Sequence, residues 1–244
     1  MQTNRKIKLL IDSRIRKEEY DYLTRYFYVI KIPLSNDVYE QISGHSDIFY
    51  CKINNKIICA PNAPIIDNDF SLGIQTVKNK YPEDVCYNAC QIGNNIIGSK
   101  YTDKTINPNI IVKQGYTKCS IAVTGSNSCI TQDYGIYKTL KSHNIDCTYI
   151  EENNIKLLDK QAKETKMKGF IGGASFIFDN KFVLFGDIDK LQSKDTILKH
   201  LNQHNLELVD FKGLNVHDYG GAVFGCFWGH FSETSKRCFW GHFY

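Results

Sequence analysis

The sequence predicts an α/β fold of about five hairpin–helix–strand units, a propeller-like array in one domain. Three observations predict it. A strand, a short polar turn and a second strand recur at intervals of about 40 to 50 residues. Segments with helical periodicity lie between some of these hairpins, which argues α/β over an all-β array. The 244-residue chain is 42% hydrophobic, enough to fill one core and too ordinary for disorder, collagen or a coiled coil.

Taken in order, Lys6–Ile11 has strand character, Lys17–Tyr26 carries Tyr20, Leu23 and Tyr26 about one turn apart, and Phe27–Ile32 is a strand that stops at Pro33. The first hairpin is Ser46–Ile53, turn Asn54-Asn55, Lys56–Ala60; the second is Asp84–Ile92, turn Gly93-Asn94-Asn95, Ile96–Gly98. The third is Lys118–Val123, turn Gly125–Asn127, Ser128–Thr131; the fourth is Gly172–Phe178, turn Asp179-Asn180, Lys181–Phe185. Asn, Asp and Gly tolerate the positive φ that tight hairpins demand. A fifth begins at Asp218–Gly225, and its second half is not evident. A helix over Asp133–His143 buries Ile136, Tyr137 and Leu140 and leads to strand Cys147–Ile150. Ser193 is an N-cap for a helix holding Ile197, Leu198 and Leu201, followed by strand Leu206–Phe211. The expected organisation is one domain over residues 1–225 and a tail over 226–244.

Composition excludes several functions. Thirty basic and 26 acidic residues give a net charge of +4 and are interleaved, so no nucleic-acid stripe is expected. No apolar run reaches the roughly 18 residues of a membrane span, and the opening residues lack a signal-peptide stretch, so a cytoplasmic protein without membrane contact is expected. The nine cysteines are then thiols. Cys51, Cys59, Cys86, Cys90, Cys129 and Cys147 suit packing. No Gly-x-Gly-x-x-Gly, phosphate loop, Cys-x-x-Cys or His-Glu-x-x-His is present, so neither cofactor nor metal is expected in the main body.

Several segments carry a family likeness: Gly44-His-Ser-Asp-Ile48, Tyr81–Ala89, Val112–Ser120, Ile130–Asp133 and Gly169–Ser175. Through them the chain, as far as about Gly221, resembles the pentein fold of guanidino-group modifying enzymes, a closed α/β propeller of about five ββαβ units. It resembles most an uncharacterised bacterial family assigned to that fold. The resemblance implies a Cys nucleophile, a His acid/base and carboxylates gripping a guanidinium, each at a hairpin start near the pseudo-fivefold axis. The chemistry fits those residue types: a planar cation takes carboxylates in pairs, and a thiolate attacks its carbon beside a proton donor.

Carried onto this chain, the resemblance makes Cys119 and His45 the catalytic pair. His45 stands in a Gly-His-x-Asp string like that of deiminases, and Cys119 lies two repeats later. Asp47, Asp84, Asn88, Lys118, Ser175 and Asp218, at or near hairpin starts, are the candidate substrate contacts. Lys118 is expected to lower the pKa of the adjacent thiol. The order of residues is circularly shifted from the family norm, where the Cys lies near the carboxyl end; Cys226 is therefore the alternative nucleophile. The expected activity is a Cys-dependent hydrolase or amidinotransferase acting on a small cationic guanidino or amidino compound. The alternative is a non-catalytic binding module of the same fold. Asp187 and Asp189 read as a solvated loop with a helix start.

The tail repeats itself: Cys226-Phe-Trp-Gly-His-Phe231 returns as Cys238-Phe-Trp-Gly-His-Phe243. Its two thiols and two imidazoles are zinc-ligand types without a standard finger spacing, so a duplicated trailing segment is the plainer expectation.

Overall fold

The structure is a computed structural model describing residues 7–225. Strand β1 (Ile7–Asp12) turns inward over Leu9–Asp12, helix α1 (Lys17–Leu23) buries Leu23, and β2 (Phe27–Ile32) returns parallel to β1. One helical turn, α2 (Ser46–Phe49), then runs into β3 (Tyr50–Ile53). Asn54 and Asn55 sit at φ 49° and 62°, closing a two-residue hairpin onto β4 (Lys56–Cys59), with β5 (Ser71–Leu72) parallel beyond it. The next sheet is β6 (Cys90–Ile92), β7 (Asn95–Ser99) and β8 (Ile110–Val112). A second single turn, α3 (Thr117–Ser120), leads to β9 (Ile121–Val123), β10 (Ser128–Thr131), α4 (Tyr134–Ser142) and β11 (Asp146–Tyr149). A two-stranded insert, β12 (Lys156–Leu158) and β13 (Glu164–Lys168), precedes β14 (Ser175–Phe178), β15 (Lys181–Leu184), α5 (Lys194–Gln203) and β16 (Glu207–Val209). The last described strand is β17 (Val223–Gly225).

The chain is thus mixed α/β, with small sheets and few helices. Five of its sheets share one pattern: an antiparallel pair, a hairpin in four of them, with a third strand parallel to one member of the pair. The sheet that looked incomplete in sequence is completed across the chain. β17 pairs antiparallel with β1, Lys8 opposite Gly225 and Leu10 opposite Val223, so the missing half of the fifth hairpin is the first strand.

The core fills the spaces between sheets and their covering elements. Ile197 and Leu201 of α5 are buried against Ile130, Phe182 and Leu184, while Ile136 and Leu140 of α4 pack on Cys129, Cys147 and Ile121. Full burial of each such side chain stabilises by about 1.5–3 kcal/mol. Near β1, Phe27, Phe176, Phe178 and Phe185 form a ring cluster that holds the first sheet to the sheet of β14–β16.

Three sequence expectations need correction. The connections after β4 and β7 hold no helix. Pro61 and Pro64 interrupt the first, and in the second the buried Asp103 accepts backbone N–H groups of Ile74, Gln75 and Thr105, which favours turns over helix. Ser46–Phe49 and Lys118–Ser120, read as strand, are helical turns; each begins where the chain must bend inward before its strand. The β12–β13 insert was not anticipated, its outer strand Glu164–Lys168 being nearly all polar and exposed. Among the described residues no helix is long and apolar enough to cross a membrane.

Candidate active site

The segments entering β3, β6, β9, β14 and β17 come together at the hairpin ends away from the Asn-rich turns, and there the polar residues go inward. His45 caps α2, Asp47 is its second residue, and both are 1% exposed. Asn88 precedes β6, Cys119 lies in α3 and Asp218 stands before β17; all three are buried. Ligand-type atoms of His45, Asp47 and Cys119 all lie within 4.8 Å of one another.

Asn88 organises the thiol. Its Oδ1 accepts the Cys119 backbone N–H at 3.1 Å, and its Nδ2 reaches Cys119 Sγ at 3.3 Å and the Asp47 carbonyl at 3.1 Å. The thiol donates to Asp47 Oδ2 at 2.9 Å. Asp218 accepts Phe170 N–H at 2.8 Å on Oδ2 and Gly220 N–H at 2.9 Å on Oδ1. Its Oδ1 stands 3.7 Å from His45 Nδ1, beyond hydrogen-bond range and an ion pair only when the ring is protonated. Two glycines allow this closeness. A Cβ on Gly173 would lie 1.9 Å from Asp218 Oδ1, and Gly220, at φ +72°, would place one 2.5 Å from His45 Cβ.

Burial dominates the electrostatics. It raises Asp47 to about 6, against the pull of Lys118 and the Cys119 and Asn88 hydrogen bonds. It raises Asp218 to about 7, helped by the Asp47 charge. Cys119 is driven well above an ordinary thiol, first by burial and then by the Asp47 and Asp218 charges. His45 is held well below the usual imidazole range by burial and by the nearby Arg14 guanidinium. At neutral pH the pair is thiol and neutral imidazole.

That state corrects the expected thiolate beside Lys118. The Lys118 ammonium donates to the Gly172 carbonyl at 2.7 Å, and its charge falls on Asp47 and Asp218. Of the other predicted residues, Asp84 is buried at the second hairpin start, where its Oδ2 accepts from Tyr116 Oη at 2.6 Å. Ser175 Oγ donates to the Ile171 carbonyl at 2.6 Å, a bond within its own turn. Cys51, Cys59, Cys86, Cys90, Cys129 and Cys147 are free and buried. His143 ends α4 on the surface, and Asp187 caps a short turn beside Lys212. Cys226 and both copies of the tail motif lie outside the described residues.

Sequence reasoning missed two phenols and a guanidinium. Tyr39 Oη lies 3.1 Å from Tyr116 Oη, and burial with the Asp84, Cys119 and Asp218 charges pushes it up to about 12. Arg14 grips the buried Asp12 and donates to the carbonyls of Glu40, Gln41 and Leu158, fixing the loop that delivers His45. Single tyrosines in a chain with fifteen carry no signal of their own; a charged pair two residues apart, Asp12 and Arg14, was the available hint.

Several buried polar atoms have no hydrogen-bond partner: both His45 ring nitrogens, Asp47 Oδ1, Asp84 Oδ1 and Ser120 Oγ. Such atoms cost free energy unless something else satisfies them. Three buried carboxylates, Asp47, Asp84 and Asp218, share this region with the half-buried Lys118.

Fold and site together define an α/β protein with a buried Cys–His–carboxylate centre. The chain belongs to the family described as "Family of unknown function (DUF6873)", which matches residues 10–223. No curated protein matches it, and no solved structure does.

Proposed function

We propose that the chain is a pentein-type α/β propeller whose centre performs Cys-dependent chemistry on a small guanidino or amidino compound. For the fold, the support is a run of neighbours: β17 beside β3, β3 beside β6, β6 beside β9 and β9 beside β14. Phe176 of β14 meets Phe224 of β17 at 6.2 Å between ring centroids, which brings the run back to its start.

For the function, one observation carries the reading: a buried thiol and imidazole lie together among carboxylates with unsatisfied oxygens. Asp47 and Asp218 are neutralised in part by burial, and a cation arriving among them would restore both charges. A guanidinium offers planar N–H donors to Asp47 Oδ1 and Asp84 Oδ1. Its charge also lowers the cost of a thiolate, so the Cys119 proton passes to His45, where Asp218 stabilises the imidazolium. The thiolate then attacks the central carbon; an S–C bond forms, a C–N bond breaks, and the departing amine takes the His45 proton. Water next gives a proton to His45 and its oxygen to the same carbon, and the S–C bond breaks to regenerate Cys119. With an amine in place of water the same steps transfer the amidino group.

The non-catalytic alternative keeps the carboxylates and dispenses with the thiol; the raised thiol and neutral imidazole of the resting centre favour it. Chloroacetamidine separates the two, since it mimics a guanidinium and carries a leaving group. Relative to iodoacetamide it should alkylate Cys119 ahead of the other thiols, and Asp47→Asn or Asp84→Asn should remove the preference. Peptide mapping that finds label spread over the cysteines, or first on Cys226, defeats the catalytic reading.

A further inference from the structure

The centre also has the composition of a metal site. We propose that Cys119, His45 and Asp47 bind a single thiophilic divalent cation of the zinc class, with Asp218 and Asn88 as outer partners. The donors are a thiol, an imidazole and a carboxylate, the set that zinc takes in tetrahedral sites with three protein ligands and one further position. Tetrahedral bonds of about 2.0–2.3 Å place ligand atoms about 3.4–3.6 Å apart. The three donors already lie within 4.8 Å of one another, so closure asks for about 1 Å of movement or little more.

A buried thiol–carboxylate hydrogen bond explains Cys119 Sγ and Asp47 Oδ2 and nothing else. It leaves both nitrogens of His45, a residue 1% exposed, and Asp47 Oδ1 without partners. A cation between the three satisfies a ring nitrogen and a carboxylate oxygen together. The outer contacts also suit a metal. Asn88 Nδ2 points at the sulfur, and Asp218 Oδ1 faces His45 Nδ1 at 3.7 Å, leaving Nε2 for the ion. The ligands come from positions 45, 47 and 119, two distant segments with no motif spacing, which is why a search for metal motifs passes over them.

Binding displaces the Cys119 proton to solvent as the sulfur–metal bond forms, and His45 enters as the neutral ring, so affinity rises with pH. A metal-bound sulfur is also masked as a nucleophile. That consequence rests on the reading of the preceding section; the metal site itself does not.

Cobalt(II) titration of the reduced, metal-stripped full chain tests the proposal. One equivalent should produce a thiolate-to-cobalt charge-transfer band with tetrahedral visible bands. The charge-transfer band should vanish in Cys119→Ser, the tetrahedral bands should fall in His45→Gln, and both should persist in Cys226→Ser/Cys238→Ser, which removes the tail thiols. Asp218→Asn should weaken binding about 10- to 100-fold. As a check independent of variant folding, cobalt should protect Cys119 of the unaltered chain from iodoacetamide in mapped peptides. A missing band, a band that survives Cys119→Ser, or unprotected Cys119 overturns the proposal. An intact band without amidine preference defeats the catalytic reading alone; amidine preference without a band defeats the metal site alone.

Discussion

Replacing Asp218 by Asn should make the metal-free protein more stable at pH 8 and change it little, or weaken it, near pH 4. Asp218 is wholly buried and its pKa rises from 3.8 to about 7 on folding, through burial and the Asp47 charge. Between those values the folded state binds a proton that the unfolded chain has released. Stability therefore falls as pH climbs through this window, and above about 7 the full penalty applies. A change from 3.8 to about 7 corresponds to on the order of 4 kcal/mol at 1.36 kcal/mol per pH unit. Asn removes that penalty but accepts only through Oδ1, so one of the two backbone bonds, from Phe170 or Gly220, is lost at about 1.5–3 kcal/mol. The net gain at pH 8 is about 1–3 kcal/mol, or about 2–12 °C in Tm for a chain of this size. Differential scanning calorimetry of both proteins at pH 4 and pH 8, with chelator present, reads the difference directly. Equal destabilisation at the two pH values would show that Asp218 is not a strained buried charge, and the electrostatic account of the centre would fail with it.

Two further outcomes follow from the same geometry. Tyr116→Phe removes the hydroxyl that donates to Asp84 Oδ2, so Asp84 should titrate higher and chloroacetamidine labelling of Cys119 should shift to higher pH; an unchanged labelling profile would separate Asp84 from the centre. Gly173→Ala sets a methyl 1.9 Å from Asp218 Oδ1, and relief to 3.4 Å moves that oxygen off Gly220 N. The cost should be about 1–3 kcal/mol, about 2–4 °C of Tm per kcal/mol, with loss of the amidine preference; an unperturbed melting curve would refute the packing described.

The hairpins were legible because their signal is local: Asn54-Asn55, Gly93 and Asp179 adopt positive φ where strand-forming residues flank them. The covering helices α4 and α5 were legible because Ile136/Leu140 and Ile197/Leu201 repeat at the helical period. What could not be read locally was pairing. Nothing in Val223–Gly225 names Lys8–Leu10 as its partner, and a three-residue strand has no room for a pattern. The centre divides in the same way. His45, Asp47, Asn88, Cys119 and Asp218 were marked by the family resemblance carried onto the hairpin starts, and the structure brings them together. Their charge states follow from complete burial and from Arg14, whose reach to His45 depends on the fold. Tyr39 and Tyr116 meet Asp84 only through tertiary packing.

The pairing of β17 with β1 also dictates a timetable. Lys8 and its partner Gly225 lie at opposite ends of the described residues, so this sheet waits until the whole stretch between them has been made. Contacts this distant in sequence close slowly, because their loop entropy is lost before any pairing repays it. Asp218 does not wait for this pairing, since its N–H donates to the Lys156 carbonyl and those of Tyr219 and Gly221 donate to the Gly173 carbonyl. The nascent protein therefore completes the sheet of β1 only after the segment carrying Asp218 has been made, and a ribosome that stops before Val223 leaves β1 without its antiparallel neighbour.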